Sequence, residues 1–216
     1  MLAQANAQLR QTSLVRAIQL AVVVIFFGAW ALVTGAHAIN PLFLPAPLAV
    51  AGALAHLSTT RAFWGAVGVT SLSTAIAYAI AVSAGIVLGF FIGRSPTLTA
   101  AYRPVLAGMF AIPITLFFPL FVVMFGLGPP SKIAFGALYG FFPVVLSGLR
   151  IGFFITFASV LGGETLSSAS GVGHAIAHEA DLLDSPPMFA WIVIVLAVTV
   201  GLNLVLSLIE KRAVRS

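Results

Sequence analysis

A bundle of membrane-spanning helices is the fold class this sequence predicts, and three observations predict it. Of its 216 residues, 61% are hydrophobic and 7% charged, against roughly 25% charged in a soluble domain. The ten basic and five acidic residues fall almost entirely at or beyond the ends of long apolar runs. A charge at the bilayer centre costs about 2.5–3.5 kcal/mol even on a mild scale, so this placement is the membrane pattern. Several runs reach the roughly 20 residues a helix needs to cross, and none alternates like a strand of a transmembrane barrel. The expectation is an all-α, polytopic bundle of six spans in one domain covering 1–216. Its net charge of +5 comes from bases that flank spans, which argues against nucleic acid. With no cysteine, disulfides, thiolate metal sites and thiol catalysis are excluded.

The expected spans are 17–34, 65–93, 104–125, 131–147, 150–166 and 188–209. Arg10 and Arg16 precede the first, and Ala36-His37-Ala38 resembles a cleavage site. The apolar stretch nevertheless exceeds the 7–15 residues of a signal peptide's core, so it is expected to be retained. In the second, Ala77, Ala81, Gly85, Gly89 and Gly93 recur every four residues and form a small-residue stripe on which another helix can pack closely. The third carries Pro104 at its expected start, then Pro113 and Pro119, which should kink or break it. Broken helices at membrane depth are tolerated along cavities, making this a pathway candidate.

The fourth and fifth spans pose a problem of length. Read as one helix, 131–163 would run about 50 Å through a core of about 30 Å. Two short helices joined by a turn at Ser147-Gly148-Leu149-Arg150 solve it, with Gly148 supplying the backbone freedom. If the two were fused the count would be five. Each half is barely long enough to cross, so the junction is abnormal. Glu164 is the acid closest to a span interior. It either caps the fifth span or faces the pathway.

Six spans with both termini cytoplasmic put Arg10, Arg16, Arg94, Arg103, Arg150, Lys211, Arg212 and Arg215 on one side and only Arg61 and Lys132 on the other. That is the positive-inside distribution.

Chemistry-bearing motifs are scarce. The Gly126–Lys132 stretch with Pro129-Pro130 cannot cradle a phosphate as a P-loop does, so any ATP hydrolysis belongs to another subunit. His174 and His178, four apart and followed by Glu179, share a helix face, but two imidazoles and one acid are too few to predict a metal. Ser83, Thr156 and Ser159 have no intramembrane His or Asp beside them in sequence, which argues against an enzyme. No cofactor is expected. A stand-alone secondary carrier would need intramembrane ionisable groups, for which only Glu164 and Arg150 offer themselves. A non-transporting regulatory or structural membrane partner, pairing through the stripe, is a second alternative.

A series of short motifs resembles one family. It runs through Leu44-Pro45-Ala46-Pro47, Gly89-Phe90-Phe91-Ile92-Gly93-Arg94, Ile112-Pro113, Phe125-Gly126-Leu127-Gly128, Ser131-Lys132-Ile133 and Phe141-Phe142-Pro143. It continues with Gly148-Leu149-Arg150, Gly163-Glu164, Ser170-Gly171-Val172-Gly173 and Ile209-Glu210-Lys211-Arg212. In order and spacing these resemble the permease subunits of ATP-binding-cassette importers for nitrate, sulfonate, taurine and related small solutes. The resemblance implies a type I importer-like bundle of six spans in a bacterial inner membrane. It also implies a second permease copy, cassette ATPase subunits and a solute-binding protein as partners. Pro113, Pro119 and Glu164 would then lie beside the pathway, and Arg94, Arg103 and Arg150 would face the ATPase side. One departure is large. In the family a cytoplasmic loop of a few dozen residues, carrying the coupling helices that dock in the ATPase, separates Phe-Phe-Pro from Gly-Leu-Arg. Here Gly148 follows Pro143 within five residues, which implies impaired coupling to ATP hydrolysis.

Overall fold

The computed structural model describes residues 2–111 and 116–213. Among them are nine helices and no strand: α1 Leu2–Gly35, α2 Pro47–Ser58, α3 Arg61–Gly93, α4 Pro96–Ala111, α5 Phe118–Phe125, α6 Pro129–Ser147, α7 Leu149–Leu166, α8 Val172–Asp181 and α9 Ser185–Ala213. Four stretches are long and apolar enough to cross a membrane, namely Leu14–Gly35, Arg61–Gly93, Leu149–Leu166 and Ser185–Leu208. The protein is an all-α, multi-pass helix bundle.

Helix starts follow the local chemistry. The Thr60 hydroxyl accepts the Phe63 N–H at 3.2 Å and caps α3, satisfying one of the donors left open at a helix start. Prolines open α2, α5 and α6, where a missing N–H breaks no helical bond.

The expected third span is interrupted just before Phe118: α4 is described as far as Ala111, Phe117 lies in a turn, and α5 opens at Phe118. Pro119 sits in the first turn of α5, so it begins a helix where a kink had been expected. Pro104 is not at a helix start. It lies inside α4, because that helix already begins at Pro96, and Pro104 removes a single backbone bond from it. Pro113 lies outside the described residues.

The core is three helices, with α6 packed most extensively, against α3 on one side and α7 on the other. A Cβ on Gly85 of α3 would lie 2.6 Å from Val144 of α6, and one on Gly136 would lie 3.3 Å from Ala77. Residues 77 and 85 therefore pair with 136 and 144, and α3 and α6 run parallel. α7 runs antiparallel to both: Gly136 faces Val160, Gly140 faces Thr156, and Gly152 faces Val144. Lipid tails are as apolar as the side chains, so the drive here is close van der Waals fit rather than water exclusion.

α8 and α9 close one end of this core. Phe63, Val172 and Trp191 form a buried cluster, with the Phe63 and Trp191 rings stacked at 5.1 Å. α1 is set apart. None of its most apolar 18-residue window is buried. It is tied on by Trp30, whose indole N–H donates to the Pro45 carbonyl at 2.9 Å.

Candidate functional site

Two buried charges organise one end of the core. Glu164 and Lys132 are both 0% exposed. Glu164 ends up capping α8, which begins eight residues further along the chain, and not its own helix. The Thr70 hydroxyl from α3 reaches both its oxygens, at 2.9 and 2.7 Å. The Gly173 N–H donates to Oε2 at 3.0 Å, and the Val172 N–H donates to the Thr70 oxygen at 2.8 Å. These N–H groups belong to the first turn of α8, where an anion is favoured by orphan donors and helix dipole together. Gly171 makes the approach possible. Its φ of +107° is a glycine conformation, and any Cβ there would strike the Glu164 carboxylate.

Lys132 links the two neighbouring loops. Its Nζ donates to the Leu127 carbonyl at 3.2 Å and to the Ser168 hydroxyl, which in turn donates to the Ser170 carbonyl at 2.6 Å. The stretch between α5 and α6 is thereby fastened to the stretch between α7 and α8. Lys132 also lies within electrostatic reach of Glu164. Buried polar groups of this kind need hydrogen-bond partners, and both have them: Glu164 accepts from Thr70 and Gly173, and Lys132 donates to Leu127 and Ser168.

The opposite end of the core holds the abnormal junction. α6 ends at Ser147 and α7 begins at Leu149, so Gly148 alone connects them, with φ +99°. Its N–H donates to the Pro143 carbonyl at 2.9 Å. The Tyr78 hydroxyl donates to the Leu149 carbonyl at 2.8 Å. Nε and Nη2 of Arg150 donate to Oδ1 of Asn203 at 3.1 and 2.5 Å. Arg94 follows the last residue of α3 and lies 4.3 Å over the Phe90 ring. Because α3 and α6 are parallel, Arg94 and Arg150 fall at the same end of the bundle. The Arg103 side chain lies outside the described residues.

The five-residue stripe divides. Ala77 and Ala81 are 0% and 1% exposed, and Gly85 is buried against Val144. Added Cβ atoms on Gly89 and Gly93 would meet nothing within 4 Å. Pro119 is exposed at the start of α5, while the adjacent Phe118 is buried against Gly163, next to Glu164.

Two features escaped the sequence. Thr70 carries no signal in the sequence, and Lys132 figures there only as a flanking base and a motif residue, since a hydrogen bond across 94 positions leaves no local pattern. The Gly136/Gly140 pair on α6 and the Gly152/Thr156 pair on α7 did leave one. Their four-residue spacing is the same signal that marked α3. His174 and His178 do share a face, with rings 6.0 Å apart. Among the described residues no group of three or more His, Asp or Glu is placed to hold a metal ion.

Homologues of this chain are transport permeases. It is 23% identical over 234 residues to the taurine transport system permease protein of Escherichia coli (strain K12), covering 87% of this chain and 85% of that protein. It is 20% identical over 232 residues to a Bacillus subtilis (strain 168) protein named as an aliphatic sulfonates transport permease, covering 88% and 84%. No protein-family model matches the chain. The aligned length is informative in itself. As 87% of 216 residues is about 188, roughly 46 of the 234 aligned positions have no residue in this chain.

Proposed function

We propose that this chain is the permease subunit of an ATP-binding-cassette importer for taurine or a related small sulfonate, with both termini cytoplasmic in a bacterial inner membrane. Similarity along most of the chain to two transport permeases carries this reading. The parallel course of α3 and α6, with α7 antiparallel, supports the alternating span directions that the distribution of bases requires. The sequence carries no P-loop motif. Hydrolysis would belong to a cassette ATPase, and substrate capture to a solute-binding protein, with a second permease copy completing the pathway. Pro113, Pro119 and Glu164 are proposed to border that pathway. Arg94, Arg103 and Arg150 are proposed to face the ATPase. Ala77, Ala81 and Gly85 would hold the core together, leaving Gly89 and Gly93 for a neighbouring helix.

Coupling to ATP is proposed to be impaired. The one-residue connection at Gly148 carries this part of the reading, since it occupies the place where the resemblance puts a docking loop. The roughly 46 unmatched positions are of the size such a loop requires. A non-transporting regulatory partner is the reading that the same junction favours if no ATPase binds.

Purification from the native membrane in mild detergent, with mass spectrometry of the co-purifying proteins, tests this. A cassette ATPase in stoichiometric amount supports the permease reading and requires docking outside the missing loop. Recovery of the chain alone, or with only another membrane subunit, strikes out coupled transport.

A further inference from the structure

Between the first half of α3 and α8 lies an open cavity of about 470 Å³, within the size range of small-molecule sites. We propose that it is a binding subsite for a small zwitterion carrying a sulfonate at one end and an ammonium at the other, an assignment that rests on the permease reading above.

The cavity joins an apolar lining to a polar one, with imidazoles and a carboxylate together on α8. Its α3 wall is kept open by Gly65 and Ala66, and its floor by the stacked Phe63 and Trp191 rings. An apolar floor suits a short methylene chain and no charge. The Trp191 Nε1 is buried with no acceptor among the described residues, an unpaired donor that a ligand oxygen would satisfy. The other wall is α8, which presents His174, His178 and Glu179 to the same cavity. Both imidazoles carry N–H donors suited to sulfonate oxygens. Glu179 suits an ammonium and opposes a plain anion, which sets the preference for the zwitterion. Glu164, the other carboxylate nearby, is already committed to Thr70 and Gly173 and leaves the imidazole wall to the ligand.

The test uses the full chain in lipid nanodiscs. Replacing Trp30 and Trp64 with Phe leaves Trp191 as the only tryptophan of the three. Its fluorescence is titrated with taurine, with ethanesulfonate, which lacks the amine, and with β-alanine, in which a carboxylate replaces the sulfonate. A saturable change is expected with taurine, and about tenfold weaker binding with ethanesulfonate, the loss of one charge-assisted contact. The His174→Ala/His178→Ala variant should weaken taurine by about tenfold or more. Glu179→Gln, on a partly exposed side chain, keeps the test open if the double variant does not fold. It should make taurine and ethanesulfonate bind alike. A flat taurine titration overturns the proposal, as does β-alanine binding as well as taurine, or equal affinity for taurine in all folded variants. No ATPase and no transport enter this readout. Its failure leaves the permease reading standing, and absence of an ATPase partner leaves the subsite standing.

Discussion

Glu164 shows how much one side chain can fix in a membrane bundle. Its carboxylate joins α7, α3 and the first turn of α8 through bonds of 2.7–3.0 Å. Removing it would strand the Gly173 N–H and the Thr70 hydroxyl in the core. Glu164→Ala is therefore expected to cost about 2–3 kcal/mol, while Glu164→Gln, which keeps an acceptor oxygen, should cost about 1 kcal/mol. The check is the apparent thermal midpoint in detergent, followed by loss of the monodisperse size-exclusion peak. The expected order is the unaltered chain, then Gln, then Ala. A Thr70→Val change combined with Glu164→Ala should add less than the sum of the two, since they share one interaction. Strict additivity would mean that the carboxylate and the hydroxyl act separately. Sequence reasoning reached Glu164 from its position beside a span, but not its partners. A cap supplied from a different helix has no spacing to read, unlike a cap at the helix's own start.

At the scale of helices, the packing of α3 on α6 separates glycines that look equivalent in the sequence. A side chain at Gly85 would enter Val144, whereas Gly89 has open space. Gly140 and Gly152 face each other across α6 and α7, with an added Cβ on either lying 3.3 Å from the other's carbonyl oxygen. Leu at 85, 140 or 152 is expected to prevent folding, because overpacking a tight helix crossing costs about 1–3 kcal/mol or more. Leu at 89 should leave the single chain folded and act only on association with another subunit. Blue-native electrophoresis beside a protease-resistance assay distinguishes the two effects. A folded, monodisperse Gly140→Leu variant would contradict the crossing described here. The four-residue repeat predicted that α3 packs closely, but not where its partner helix leaves the stripe. That boundary depends on the length and course of α6. The third span resisted for a related reason. Three prolines announce a disturbance, yet which of them starts a helix and which lies inside one depends on where α4 and α5 begin.

For the molecule as a whole, the bundle and its junction make a mechanical argument. An importer driven by cassette ATPases needs a lever that carries nucleotide-driven closure into the helices. The only covalent connection between α6 and α7 is Gly148, held by its N–H to Pro143 and by its carbonyl to the Gly152 N–H at 3.1 Å. A Cβ on Gly148 would meet nothing within 4 Å, so there is open space beside the junction into which a loop could leave. Loop closure is also thermodynamically mild, each doubling of length costing about 0.6 kcal/mol. Inserting the corresponding segment of the Escherichia coli taurine permease between Ser147 and Leu149 should therefore leave the bundle folded. If the missing segment is what uncouples this chain, the insertion should bring a cassette ATPase into the purified complex and make uptake of a sulfonate depend on ATP. The unmodified chain, in cells lacking another permease of this kind, should do neither. Uptake by the unmodified chain alone would show that coupling enters through another surface, with Arg94 and Arg150 at the same end of the bundle as the first residues to replace. A folded insertion that captures ATPase without uptake would move the defect from docking to the pathway, which Glu164 is proposed to border.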